Sequence, residues 1–412
     1  MLTQQLFPSA LIAVCALLLA AVSLQAADQD ALEQRYKEAN AKVDAQQFKE
    51  ALEIYNELLE AEPDAGNVWV MRAIAKWNLK DASGARADLS QAIKLHPDNI
   101  DAYRVRGQLR YEAKDFAASR ADFDKAIGIV EDVVKANSVD EDSEDAELTH
   151  LFHLQNAELY GMRAEVARQL NDNRAALRDL NVAIMLNPNY IAALHLRGEL
   201  YEAEGQLSDA LQDYSRAIEL DPKHGVALIN RGWIRFYRHE WDQAIADATR
   251  VIELAPKAAI AMRLVGYAQF GKGDFPAAVD MLTRAADAAT APGDAAFALY
   301  VRHFAQLRAG GADKRLATSW GAWPDEPWFP SIARFIVGQI NEEQLEAEAA
   351  KAEDEEERLG RECETHFYIG QARLAAGDKS TARLRFQSAI NTGVTTFIEH
   401  ALAGSELKRM GR

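Results

Sequence analysis

The chain has 412 residues, 46 Lys plus Arg against 63 Asp plus Glu, and a formal net charge of −17. With 49% hydrophobic and 26% charged residues it has globular composition, which excludes a wholly disordered, collagen-like or multi-span membrane chain. Nucleic acid is not an expected partner, because such binding draws its affinity from Lys and Arg that release counterions, and acidic side chains outnumber them here. Gly (23) and Pro (11) are sparse, so a helix-rich fold is predicted.

Residues 1–26 carry no charged side chain, and an apolar run from Ala10 to Leu24 ends at Gln25, Ala26 and Ala27. This pattern predicts a signal peptide over 1–26, cleaved near Ala26, and hence an exported protein of the periplasm or cell envelope. An uncleaved anchor is the alternative, although a run of about 15 residues is short for a spanning helix. Cys15 lies inside the run and follows the bulky Val14, which argues against lipid attachment and leaves membrane attachment doubtful. Removal of the leader leaves Cys363 alone, which excludes an intramolecular disulfide.

Pro63, Pro97, Pro188, Pro222 and Pro256 recur at one fixed interval, except that the gap between Pro97 and Pro188 holds two such intervals plus the insertion 134–156. With each proline at repeat position 32, Ala51, Ala85, Ala176, Ala210 and Ala244 fall at position 20, and Ser119 and Ala278 fill it in two further repeats. Gly107, Gly198, Gly232 and Gly266 occupy position 8, while Tyr55, Leu89, Phe123, Leu180, Tyr214 and Leu282 occupy position 24. Large side chains are thus set to meet small ones across a pair of helices. Arg72, Arg106, Arg163, Arg197 and Arg231 stand at position 7, and Asp88, Asp122, Asp179, Asp213 and Asp247 stand at position 23 of the same repeats. The first and seventh repeats lack both members, having Glu38 with Ile54 and Val265 with Met281. This joint presence and absence predicts structural ion pairs between the two helices, the alternative being a row of arginines for anionic ligands.

These marks resemble the tetratricopeptide repeat, and the resemblance covers seven units starting at 32, 66, 100, 157, 191, 225 and 259. It implies an all-α solenoid of helix-turn-helix units wound into a right-handed superhelix, spanning 32–311 with a partial eighth unit near 294–311. It also implies an inner groove lined by positions 2, 5, 9, 12 and 13 of the first helices. Mapped onto this sequence, the groove carries Ile74, Trp77, Arg104 and Tyr111, then an aromatic strip of Ile229, Trp233, Phe236, Tyr237, Tyr267 and Phe270 in repeats six and seven. Such a strip is either a contact surface or is covered by the C-terminal region.

The insertion, 134–156, is acidic over residues 140–145 and then apolar, which reads as a solvated loop followed by an early start of the next helix or as a docking element for a basic partner. His150 and His153 lie one turn apart without a third ligand nearby, so no metal site is expected. Residues 312–362 form a Trp/Pro-rich linker and helices. Three Trp and three Pro between Trp320 and Pro330 break the register, predicting a non-helical plug over the end of the stack or a peptide-binding patch. Helical patterns resume at Ile332–Gly338 and Glu342–Lys351, and 363–412 form a final repeat-like unit and a capping helix near Thr396–Met410. In this tail Glu364-Thr365, Phe367-Tyr368-Ile369-Gly370, Gly377-Asp378, Ala389 and Phe397-Ile398-Glu399-His400 resemble the C-terminal part of NlpI-type envelope lipoproteins. That resemblance implies a non-enzymatic adaptor holding cell-wall hydrolases or a processing protease, with a homodimer left open.

No nucleotide-binding loop, nucleophile elbow or zinc-ligand set occurs, and Cys363 and His366 share a helical face where packing is the expected role. No cofactor is expected. The leading reading is a non-enzymatic scaffold that binds a protein segment in the groove. The alternative is an enzyme with an unrecognised site or a receptor for a small envelope ligand.

Overall fold

The computed structural model describes residues 26–137, 146–313, 315–318 and 328–411. The predicted signal segment apart from Ala26, the acidic run 140–145 and most of the Trp/Pro span therefore lie outside the described residues. Among the described residues the regular structure is α-helix throughout, and no helix is long and apolar enough to cross a membrane. Contacts divide the chain into two units, 1–196 and 197–412.

Unit one stacks four helix pairs: α1 (Ala26–Asp44) with α2 (Phe48–Ala61), α3 (Gly66–Asn78) with α4 (Ala82–Leu95), α5 (Ile100–Glu112) with α6 (Phe116–Asn137), and α7 (Ala146–Gln169) with α8 (Asn173–Leu186). The division between units falls inside α9 (Ile191–Ala203). The chain reverses within each pair at repeat position 15, where the backbone is left-handed. Gln46, Lys80, Lys114, Asn171 and His239 have φ between 59° and 70°, and Gly205 and Gly273 have 74° and 89°. Asp81 and Asp172 then cap the second helices by accepting from the Gly84 and Ala175 backbone N–H groups.

Within a pair, the small-against-large pattern is literal. A Cβ on Gly107 would fall 3.0 Å from the Phe123 ring, and one on Gly198 2.7 Å from Tyr214. Where the sixth repeat has Ala248 at position 24, Leu264 of the following repeat fills the space against Gly232. The first helices α3, α5 and α7 touch one another in succession while the second helices meet less, so this unit curves with its first helices inside.

The Arg and Asp side chains do meet. Nε and Nη2 of Arg72, Arg106, Arg163, Arg197 and Arg231 each donate to both carboxylate oxygens of Asp88, Asp122, Asp179, Asp213 and Asp247, at 2.6–3.0 Å. The carboxylates are buried. Two further features were not read from the sequence. Nη1 of Arg72, Arg163 and Arg231 donates to Asn56, Asp124 and Ser215 at position 25 of the preceding repeat, so one guanidinium ties three helices. In repeats two, three and six a second cation at position 11 (Lys76, Arg110 or Arg235) reaches the same Asp at 2.6–2.8 Å.

Unit two continues with α10 (Leu207–Leu220), α11 (Gly225–Tyr237), α12 (Trp241–Leu254), α13 (Ala259–Lys272), α14 (Phe275–Ala288), α15 (Pro292–Arg308) and the short α16 (Arg315–Thr318). Then come α17 (Trp328–Ile336), α18 (Glu342–Ala349), α19 (Glu355–Ala375), α20 (Lys379–Asn391) and α21 (Ile398–Met410). Here α11, α13 and α15 touch in succession. The α19–α20 hairpin repeats the same design, with Gly377 at φ 85° and Gly370 facing the Phe386 ring.

One expectation for this region is corrected. Trp328, Phe329 and Pro330 do not belong to a non-helical plug but open α17, a turn ahead of the expected start at Ile332. Pro330 sits in the first turn, where a helix needs no N–H donor. Trp328 is buried and its Nε1 donates to Glu364.

Candidate functional site

The inner face of unit one is built by α3, α5 and α7. Trp77 at the end of α3 is half-buried, and its Nε1 donates to Glu112 Oε2 of α5 at 2.9 Å. Tyr111 of α5 donates to Glu165 Oε1 of α7 at 2.7 Å. Each bond crosses from one repeat to the next, so the two aromatic side chains lie on one continuous surface. Arg104 donates to Asp101 at 2.8 Å, and Arg168 to Glu165 at 2.6 Å. Burial alone would raise the Glu165 carboxyl, but bonds from Arg168, Tyr111 and Gln169 outweigh it and hold the group below its ordinary value. Burial, then the Glu165 bond, pushes the Tyr111 phenol up to about 12. The face therefore presents ring edges together with fixed donors and acceptors, which suits a polypeptide's own amide groups. Ile74 is corrected: it is buried in the apolar core of this unit and offers a partner almost no surface.

The aromatic strip of repeats six and seven has a different environment from the open one allowed for it. Phe236 and Phe270 are fully buried, Tyr267 is 2% exposed and Ile229 8%. Trp233 and Tyr237 are half-buried, their rings stacked with centroids 6.0 Å apart, and Phe236 meets Trp233 edge-on at 5.6 Å. α21 packs against α11 and α13 as well as α19 and α20, and Phe236 and Phe270 also meet Trp241 and Phe275 of their own repeats edge-on, with centroids 5.1 and 5.3 Å apart. The Ser405 hydroxyl of α21 donates to Gly271 O at 2.9 Å, and Arg409 Nη1 donates to the same carbonyl at 2.9 Å. A Cβ on Gly404 would lie 3.1 Å from His239 Cε1. Of the two readings of the strip, coverage by the C-terminal region is the one observed.

Behind α21 lies a group of buried polar side chains that the sequence reading missed. Tyr368 donates to Glu399 Oε1 at 2.8 Å, and Tyr300 donates to Phe329 O at 2.6 Å. Glu406, fully buried, accepts from Arg308 Nη1 at 3.1 Å and Gln371 Nε2 at 3.2 Å. A signal existed in the spacing: Glu399, Leu402 and Glu406 recur at i, i+3 and i+7, the period of a buried helical stripe. Cys363 is buried, and burial foremost pushes its thiol up to about 12, which favours the protonated form at neutral pH. His366 lies 3.2 Å from Arg385 Nη1, and its pKa is lowered by burial and then by that cation.

Residues 36–87, 70–133 and 229–295 match one family model described as tetratricopeptide repeat, and residues 191–224 match another of the same description. Among solved structures the chain is similar to YrrB, described as a TPR protein with an unusual peptide-binding site, at 21% identity over 50% of this chain and 95% of that one, with a TM-score of 0.39. It is also similar to pilF of Pseudomonas aeruginosa, at 14% identity over 57% and 96% of the two chains, TM-score 0.47. A tetratricopeptide repeat protein from Parabacteroides merdae matches at 15% identity over 66% and 99%, TM-score 0.42. With their left-handed turn at position 15, their small-against-large helix pairs and these matches, residues 36–133 and the segments 191–224 and 229–295 are tetratricopeptide repeats.

Proposed function

We propose that this chain is an exported, non-enzymatic adaptor of the bacterial cell envelope that holds a protein segment along the inner face of α3, α5 and α7. The observation that carries the reading is the pair of bonds Trp77–Glu112 and Tyr111–Glu165, which make one half-exposed aromatic and polar surface out of three repeats. The repeat matches support protein binding in general terms. Export rests on the uncharged, apolar leader, and a cell-wall hydrolase or processing protease as partner rests on the NlpI-like residues of the tail.

Affinity capture from envelope extract tests it. With Trp77→Ala plus Tyr111→Ala, stoichiometric partners held by the unmodified chain are expected to be lost or weakened at least tenfold, since interfacial aromatic residues each contribute more than about 1 kcal/mol. Partners retained at full strength by a variant with native circular dichroism overturn the assignment of this face. Mass spectrometry of the mature N-terminus, expected just after Ala26, tests export.

A further inference from the structure

One face of α21 reads Glu399, Leu402, Ser405, Glu406 and Arg409, and each finds a counterpart inside unit two. Glu399 accepts from the Tyr368 hydroxyl at 2.8 Å, and Leu402 is fully buried. Ser405 donates to Gly271 O, Glu406 accepts from Arg308 and Gln371, and Arg409 donates to the Phe270 and Gly271 carbonyls at 3.2 and 2.9 Å. Both carbonyls belong to the last turn of α13, where a helix runs short of its own donors, and Phe270 O also accepts from the Gly273 N–H. Anchors at i, i+3, i+7 and i+10 are how a groove reads a helix.

The balance of these contacts is that of a ligand more than of a permanent lid. The strip beneath is aromatic, yet the side chains of α21 buried with Leu402 are Ala401, Ala403, Ser405 and two carboxyls. Removing carboxyls from water opposes docking, and Glu399 has no cation among the groups that bear on it, so the apolar gain of covering the strip is offset in part by that buried carboxyl. We propose that α21 is a self-ligand of a helix-binding site on the inner face of α11 and α13, and that a partner helix takes its place there. The partner would carry the same order of anchors: a carboxylate in its first turn, an aliphatic residue three positions on, Ser-Glu three and four beyond that, and a basic residue three further. This deepens the adaptor reading and rests on it only in that the chain binds protein.

Release is tied to pH. The groups that bear on Glu399 are Tyr368 and Cys363 of α19 and Tyr237 of α11, with Glu364 of α19 and Tyr267 of α13 acting on Tyr368. None of them is a cation. His400 beside it is held toward its neutral form by burial, while Arg308 and Arg383 of α15 and α20 serve Glu406 and the Met410 carbonyl at the other end of α21. Burial pushes the Glu399 carboxyl up to about 7, so its folded value lies above its unfolded one. Docking therefore loses strength as pH rises toward neutrality, and the full charge penalty is present above that value.

Native-state hydrogen exchange of the full chain at pH 6 and pH 8, corrected for intrinsic exchange, is the first test. The α21 amides are expected to open at least tenfold more often than those of α19, and more at pH 8, with Glu399→Gln removing the pH difference. Equal protection of α21 and α19 at both pH values overturns the proposal. Secondly, an acetylated peptide of residues 394–412 is expected to bind the full chain carrying Leu402→Asp at least tenfold more tightly than the unmodified chain, and the peptide bearing Leu402→Asp is expected not to bind. Absence of peptide binding by a Leu402→Asp chain with native circular dichroism and native α19 protection also overturns it. If that variant fails to fold, exchange in the unmodified chain decides alone. A dimer in light scattering that trades α21 between copies makes a second copy the occupant and overturns the partner helix. Trp77→Ala plus Tyr111→Ala leaves all these readouts unchanged, which separates this proposal from the face in unit one.

Discussion

Five of the seven repeat turns place a residue with a side chain in the left-handed region, where the approach of Cβ to the carbonyl costs an L-residue about 1–2 kcal/mol. Lys114, at φ 60° and exposed, is the cleanest case: Lys114→Gly is expected to stabilise the chain by about 1 kcal/mol in urea melts, because it relieves that clash while giving up some backbone entropy. The buried carboxylates give a graded pair. Asp122 receives Arg106 and Arg110, whereas among the described bonds Asp213 receives the Arg197 fork. Asp213→Ala is expected to cost about 3 kcal/mol and Asp122→Ala more, toward about 5 kcal/mol, since the latter strands two guanidinium groups; thermal melts of the two variants check the order. The position 7 and 23 partnership was legible because both members vanish together in repeats one and seven. The cation at position 11 was not, because it changes between Lys and Arg and is present in only some repeats.

Elements are held by complementary volumes, so the hairpins respond to added atoms as much as to lost ones. A methyl on Gly198 has nowhere to go but into Tyr214, whose hydroxyl is itself fixed to Glu202 at 2.9 Å. Gly198→Ala is expected to destabilise by about 1–3 kcal/mol, measured by chemical denaturation, while Gly128→Ala, with nothing within 4 Å of the added atom, is expected to gain slightly through helix propensity. Helix boundaries inside the array were readable from recurring small and large positions. The start of α17 was not, since Trp328-Phe329-Pro330 reads as a breaker unless one knows that its proline falls in the first turn. The role of α21 escaped for another reason: periodicity says which face of α11 and α13 points inward, but carries no information on what comes to lie against it.

For the molecule as a whole, the legible part is the part with a period. Contacts within the array recur once per repeat, so one packing rule written seven times stands out from a single sequence. The contact of Ser405 with Gly271 spans 134 residues and occurs once, which leaves no pattern to detect. Nearest-neighbour stacking also predicts how damage spreads. In unit one, Asp122→Ala is expected to raise hydrogen exchange most in α5 and α6, less in α3, α4, α7 and α8, and least in α1 and α2. A uniform rise across all eight helices would mean that this unit opens as a single block.

The guanidinium that grips its own repeat at position 23 and the preceding one at position 25 also bears on how such a chain grows. A gene segment encoding one whole repeat, when duplicated, brings along both the donor and the acceptor needed to fasten the new copy to the old. Lengthening by whole units therefore requires no invention at the seam, whereas an insertion of any other length must be tolerated outside the ladder of ties.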